Sequence, residues 1–127
     1  MRLNPDCIRD ILLCVEAVEF DEPIKFSDIV DKLDKYETEE VLYHINQCEY
    51  NHFFTKINHY AQSYNGIIFD LTPKAHEFLA NIRSDTIWKK TKSAATKVGS
   101  FALPALQQIA STIVEGAIKG FINSQNP

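Results

Sequence analysis

The chain has 127 residues, 45% of them hydrophobic, which is enough for one ordinary domain with an extension and a buried core. Residues 1–80 carry seven Lys and Arg against fifteen Asp and Glu, a net charge of −8, whereas residues 81–127 carry six against two, a net charge of +4. This asymmetry favours an intermolecular contact between the two parts or a polyanionic partner for the second part. The three cysteines are not closely paired and the segment MRLNPDCIRD has no apolar export region, so we expect a reducing cytoplasm. No apolar run reaches the roughly 18 residues expected of a membrane-spanning helix.

Two helices and a short strand are predicted in the first third of the chain. Asn4 caps the first helix, whose apolar residues recur every three to four positions until the pattern breaks near Phe20. Residues 24–26 are short enough for an edge strand. Ser27 should then cap a short second helix.

A third helix and a β-hairpin follow. Thr38 caps the helix, which should run to about Tyr50. Residues 53–59 and 66–71 are rich in aromatic and β-branched residues, so they predict two paired strands. A polar turn joins the strands, with positive φ expected at Asn65-Gly66, and it consists of Ala61, Gln62, Ser63, Tyr64 and Asn65.

The order of these elements predicts an α+β fold that is mainly helical. Thr72-Pro73 begins a fourth helix behind the hairpin. The whole order is that of a winged helix-turn-helix domain, which we predict over residues 1–83, with a helical extension over residues 84–127. We expect the core to contain Ile8, Ile11, Leu12, Val15, Ile29, Leu33, Val41, Leu42, Ile45, Phe54, Ile68, Leu71, Phe78 and Leu79.

The extension should contain two helices. Ser84 begins the first of them and Gly99-Ser100 ends it. The second, over residues 100–122, is apolar around most of its circumference and should therefore be buried against other copies of the chain. Two alternatives are that it folds back onto its own domain or that it lies on a membrane surface, since four lysines precede it. The candidate oligomerisation residues are Leu106, Ile109, Ile113, Gly116, Ala117, Gly120 and Phe121.

The third helix carries the candidate DNA-binding residues. Its outward face presents Tyr43, Asn46, Gln47 and Tyr50, and the hairpin adds Lys56. Asparagine and glutamine can bond adenine through two hydrogen bonds. Affinity for DNA comes chiefly from neutralising phosphates, however, and this helix has no lysine or arginine. The pattern therefore predicts DNA binding and a protein-interaction scaffold about equally.

We predict no catalytic, metal or cofactor site. His44, Cys48 and His52, with Cys7 and Cys14, are conceivable metal ligands, but Cys48 falls on an apolar helix face, where free cysteine is usually buried. The chain has no glycine-rich phosphate loop and no nucleophile elbow. We therefore expect a protein that is not an enzyme and has no cofactor.

Three segments together resemble a known family, namely LNPDCIRDILLCVE, EVLYHINQCE and DLTPKAHEFLANIRSDTIWKKTK. The resemblance is to an uncharacterised family of small bacterial and phage or prophage proteins, catalogued as a domain of unknown function. It covers most of residues 2–93. It implies a winged-helix fold and a phage-related context, and it brings no catalytic residues.

Two functions fit these observations, of which the first is favoured by the precedent of the fold and disfavoured by the electrostatics. One is a DNA-binding regulator of phage or prophage origin that assembles through its C-terminal helix. The other is an interaction protein in phage–host biology, active in defence or counter-defence, that contacts a protein partner or a membrane surface without binding DNA. Both hypotheses include a homo-oligomer.

Overall fold

The computed structural model describes residues 1–60 and 64–125, and it divides the chain into two compact units, Met1–Glu77 and Phe78–Pro127. The predicted turn residues Ala61, Gln62 and Ser63 lie outside the described residues. The fold is α+β and mainly helical, as predicted. Its elements in chain order are α1 (Pro5–Glu16), β1 (Ile24–Lys25), α2 (Phe26–Lys32), α3 (Thr38–Tyr50), β2 (Phe54–His59), β3 (Gly66–Leu71), α4 (Pro73–Ile82), α5 (Asp85–Val98) and α6 (Leu103–Gln125).

Helix α1 begins as the sequence predicts, because the side chain of Asn4 accepts hydrogen bonds from the backbone N–H groups of Asp6 and Cys7. Its buried face consists of Cys7, Ile8, Ile11, Leu12 and Val15. The helix ends at Glu16, earlier than predicted. The backbone N–H of Val18 bonds to the carbonyl of Val15 in a tighter turn, and Asp21 follows with a left-handed φ of 64°.

The predicted caps of α2 and α3 are wrong. Ser27 and Thr38 lie inside the first turns, and the residues that precede the helices, Lys25 and Glu37, make no side-chain capping bond. Lys25 is also part of β1 and pairs with β3, so α2 begins directly where the strand ends. The end of α3 at Tyr50 agrees with the prediction.

The sheet has the order β1-β3-β2, and both pairings are antiparallel. Ile68 in the central strand lies opposite Ile24 on one side and Ile57 on the other. The prediction of positive φ at Asn65-Gly66 is wrong. Gly66 instead permits a close approach, since an added Cβ would collide with the carbonyl oxygen of Asn58 and lie 2.7 Å from the ring of Phe26.

The buried core agrees with most of the predicted set. Leu33 and Leu42 are the exceptions, because both are half-buried. Among residues outside that set, Phe53 and His44 are completely buried and Phe26 is 3% exposed. The sheet and the helices of the first unit therefore enclose two aromatic side chains and one imidazole that the periodicity of apolar residues did not predict.

In the second unit, α5 and α6 form a helical hairpin. The side chain of Ser84 accepts from the N–H of Ile87, and Gly99 ends α5 with a left-handed φ of 84°, both as predicted. Helix α6 begins at Leu103, three residues later than predicted, because the Ser100 hydroxyl accepts from the N–H of Ala102 in the connecting turn. The buried residues of the two helices are Trp88, Thr91, Ala95, Leu103, Leu106 and Ala110.

The two halves of α6 differ in burial. Its buried residues all lie in the first half, up to Ala110, whereas every residue from Glu115 to Gln125 is exposed. At about 1.5 Å per residue the exposed part is roughly 16 Å long. We call this exposed segment, residues 115–125, the α6 tail. Within the described part of the chain, no helix has the length and apolar character needed to cross a membrane.

Candidate functional site

A groove of about 260 Å³ in the first unit is the clearest candidate site. It lies between α3 and the β2–β3 hairpin, and we call it the α3–hairpin groove. The lining residues are Phe26, Leu42, Asn46, Glu49, Tyr50, His59 and Tyr64.

Helix α3 supplies one wall of the groove because of its periodicity. Leu42, Asn46 and Glu49 are separated by four and three residues, so they share one face. Val41, Ile45 and Cys48 lie on the buried side. Leu42 is half-buried rather than fully buried because it forms part of the groove wall.

The end of β2 is tied to α3 by a polar contact. His59 Nε2 lies 2.8 Å from Glu49 Oε1, with side-chain exposures of 46% and 28%. The ring of Phe26 meets the His59 ring edge-on, with 5.5 Å between centroids. Because Gly66 has no side chain, β3 can lie directly against Phe26. These contacts hold the hairpin beside α3 and set the width of the groove.

The surface of the groove is aromatic and carries a negative charge. Among the described residues that line it there is one carboxylate, from Glu49, and no lysine or arginine. Tyr50 is 70% exposed and Tyr64 is 88% exposed. The unit around it, residues 1–77, carries seven Lys and Arg against fifteen Asp and Glu. The groove therefore suits a cationic or aromatic partner better than a phosphate backbone.

The structure brings only two of the predicted DNA-binding residues into this groove, Asn46 and Tyr50. Tyr43 is half-buried, and its ring contacts the buried His44 ring edge-on at 5.2 Å. Gln47 is also half-buried on α3 and does not line the groove. Lys56 lies elsewhere, with a φ of 46°, in a second pocket of about 320 Å³ that also contains Glu19, Asp21, Asp70 and His76.

Sequence reasoning missed the residues that complete the groove. Glu49, His59 and Tyr64 lie in segments predicted correctly as helix, strand and turn, whereas Phe26 was predicted in the edge strand and is the first residue of α2. Two signals were local, since Glu49 follows Asn46 by three residues on one helix face and the predicted turn contains Tyr64. The Glu49–His59 contact spans ten residues between a helix and a strand, and nothing local in the sequence indicates it.

The thiols of Cys7 and Cys48 are buried, and that of Cys14 is half-buried. Burial, together with the Glu40 and Asp10 carboxylates, raises the pKa of the Cys7 thiol to about 12. Burial likewise raises the pKa of Cys48 well above its ordinary value. Among the described residues no cluster of three or more His, Cys, Asp or Glu side chains is arranged to hold a metal ion.

The candidate oligomerisation residues fall into two groups. Leu106 is completely buried within the chain, and Ile109 and Ile113 are half-buried. Gly116, Ala117, Gly120 and Phe121 are exposed and belong to the α6 tail. A contact with another copy would therefore involve the second group and not Leu106.

Comparison with known proteins finds relatives over most of the chain. The family model described as "Hypothetical protein (DUF2513)" matches residues 2–102. A protein of Haemophilus influenzae, described as "Uncharacterized protein", is 30% identical over 116 residues, which cover 90% of this chain and 96% of that relative. No solved structure matches the chain.

Proposed function

This chain belongs to the DUF2513 family, and we propose that it is a non-enzymatic winged-helix protein whose α3–hairpin groove binds another protein. The order α1, β1, α2, α3, β2, β3 and the antiparallel sheet support the winged-helix assignment. In that arrangement α3 takes the position of the recognition helix and the β2–β3 hairpin is the wing. A phage or prophage origin is part of the same proposal.

The observation that carries the proposal is the chemistry of the groove. Protein–protein interfaces are enriched in tyrosine and depleted of lysine. The groove exposes Tyr50 and Tyr64, and its described lining includes no lysine or arginine. A DNA-binding surface needs lysine and arginine, because its affinity comes chiefly from the neutralisation of phosphates by cationic side chains.

The DNA-binding regulator is a second candidate, favoured by one observation. Asn46 and Gln47 are half-exposed on α3, and both side chains can form two hydrogen bonds with adenine. Lys56 does not reinforce this face, since it lines a different pocket among carboxylates. The net charge of −8 on residues 1–77 would also oppose the approach of DNA.

Assembly through the α6 tail completes the proposed function. The apolar face that packs on α5 near Leu106 continues as Ile113, Ala117 and Phe121, which follow at intervals of four residues. A second copy of the tail would cover this face and make the protein a homo-oligomer. An anionic membrane surface is the alternative occupant, since this unit carries a net charge of +4.

A gel-shift titration with fragmented genomic DNA at low ionic strength separates the two candidate functions. Low salt screens charges least, so any DNA affinity should be greatest there. We expect no fragment to be retained. The opposite result would be that the natural chain and a Phe20→Ala control retain DNA and that an Asn46→Ala, Gln47→Ala double variant does not. This result would contradict the proposal and support the regulator.

A further inference from the structure

We infer that the α3–hairpin groove accepts a cationic side chain, lysine or arginine, that a protein partner presents. This inference rests on the proposed function, because it assumes that the groove is a protein-binding surface. It adds the chemical class of the group that enters the groove.

Four aromatic side chains border the groove, namely Phe26, Tyr50, His59 and Tyr64. Cations bind over the faces of phenylalanine, tyrosine and tryptophan rings within about 6 Å, and cages of several rings are used to recognise ammonium groups. The chain makes such contacts elsewhere, with lysine Nζ atoms 5.2 Å from the Tyr36 ring and 5.5 Å from the Phe53 ring. A groove of about 260 Å³ has room for one lysine or arginine side chain.

Because of the Glu49 carboxylate, the groove should bind a cationic side chain in preference to a purely apolar one. A carboxylate has two oxygens and about four acceptor positions. His59 Nε2 contacts Oε1 at 2.8 Å, so acceptor capacity is left for a second donor. The side chain of Glu49 is 28% exposed, and a cation bound beside it would be partly desolvated, which strengthens the contact.

The negative charge of the surrounding unit also favours a cationic group in the groove. Residues 1–77 carry a net charge of −8, with seven Lys and Arg against fifteen Asp and Glu, and this raises the local concentration of cations. Among the described lining residues no basic side chain competes for Glu49 except the histidine already in contact with it. Tyr50 and Tyr64 are 70% and 88% exposed, so a residue on the surface of a folded partner could reach between them.

The test is an NMR titration of the full ¹⁵N-labelled chain with three capped amino acids. The probes are N-acetyl-lysine methylamide, N-acetyl-arginine methylamide and N-acetyl-norleucine methylamide, the last a neutral shape analogue of lysine. We expect the two cationic probes to shift the amides of Asn46, Glu49, Tyr50 and His59 with millimolar affinity, and norleucine to bind at least about fivefold more weakly. Glu49→Gln should weaken lysine binding about fivefold, whereas Glu77→Gln, an exposed carboxylate outside the groove, should leave it unchanged.

Each other outcome contradicts the inference. Equal shifts with norleucine and lysine would show a groove that binds apolar groups without charge preference, which overturns the cation claim and leaves the protein-binding function intact. The absence of shifts with all three probes would overturn it as well. Retention of DNA in the gel-shift titration would instead contradict the proposed function itself, and that measurement does not depend on any cationic probe.

Discussion

The backbone N–H of Asn4 donates a hydrogen bond of 2.7 Å to Nε2 of the completely buried His44. Because Nε2 accepts, the ring proton must lie on Nδ1, which donates to the Glu40 carbonyl at 2.7 Å. The side chain of Asn4 caps α1 and also donates to Glu40 Oε1 at 2.9 Å. Asn4 therefore begins α1 and joins it to α3. These contacts hold α3, which forms a wall of the groove, in place against α1.

Replacing His44 should destabilise the first unit. In a His44→Leu variant the Asn4 N–H loses its partner, and we expect the free energy of unfolding to fall by about 2 kcal/mol. Urea denaturation followed by far-UV circular dichroism measures this change. Trp88 fluorescence is less suitable because Trp88 belongs to the second unit. His76→Ala, at an exposed position, is the matched control and should change stability by less than about 0.5 kcal/mol. Equal stability of His44→Leu and the control would contradict the role assigned to His44.

Gly66→Ala should distort the groove. The new methyl group would lie 2.7 Å from the Phe26 ring, so the ring or the strand must move, at a cost of about 1–3 kcal/mol. We expect the backbone amides of Phe26 and His59 to shift in an NMR spectrum, since their rings are in contact. Gly116→Ala is the control, because nothing lies within 4 Å of an added Cβ there. A Gly66→Ala chain with natural stability and unshifted groove amides would show that this packing is not required.

Local signals predicted much of the fold. The Asn4 cap, the Ser84 cap and the Gly99 stop are each defined by contacts within a few residues, and all three are present. The predicted bounds of the strands agree with the observed bounds to within one residue, because aromatic and β-branched residues are concentrated in the strands. The first residue of α2 was missed because β1 ends where that helix begins, so no separate cap exists.

The candidate site was only partly predictable, because it depends on contacts between distant segments. Helical periodicity placed Asn46 and Tyr50 on one side of α3, and both line the groove. Lys56 was grouped with them, but it lines a different pocket, and its left-handed φ of 46° interrupts the regular strand geometry from which the direction of its side chain could be predicted. The packing of Phe26 against Gly66 links residues 40 apart and has no local signature.

The cysteines should react slowly in the folded protein. A thiol reacts as the thiolate, and the pKa of Cys7, raised from 9.0 to about 12, leaves very little thiolate at neutral pH. Burial also raises the pKa of Cys14 and Cys48. We expect alkylation by iodoacetamide at pH 7.5 to be far slower for the native chain than for the chain in urea, as measured by mass spectrometry.

The same shift predicts a loss of stability in alkali. The unfolded chain releases the Cys7 proton near pH 9, whereas the folded chain keeps it until about pH 12, so the free energy of unfolding should decrease as pH rises between these values. A Cys7→Ala variant should lose this part of the pH dependence. Rapid alkylation of native Cys7 at pH 7.5 would contradict the burial on which both expectations rest.

The α6 tail should control self-association. Ile118 and Phe121 are 53% and 65% exposed, and covering each in an oligomer would contribute about 1 kcal/mol. We expect sedimentation velocity to show an oligomer for the natural chain and a monomer for an Ile118→Ser, Phe121→Ser double variant. Lys119→Ser, an exposed polar control in the same helix, should keep the oligomer. A monomeric natural chain that sediments with anionic lipid vesicles would instead favour the membrane surface as the occupant.

Photo-crosslinking in cells tests whether the α3–hairpin groove binds protein. The photoreactive residue p-benzoylphenylalanine replaces Tyr50 at the groove or, as control, Phe20, an aromatic residue that is 96% exposed and lies outside it. We predict a discrete adduct from position 50 that resists nuclease and in which mass spectrometry identifies peptides of a second protein, with no equivalent adduct from position 20. An adduct from position 50 that nuclease removes, or no adduct from this position, would contradict protein binding at the groove.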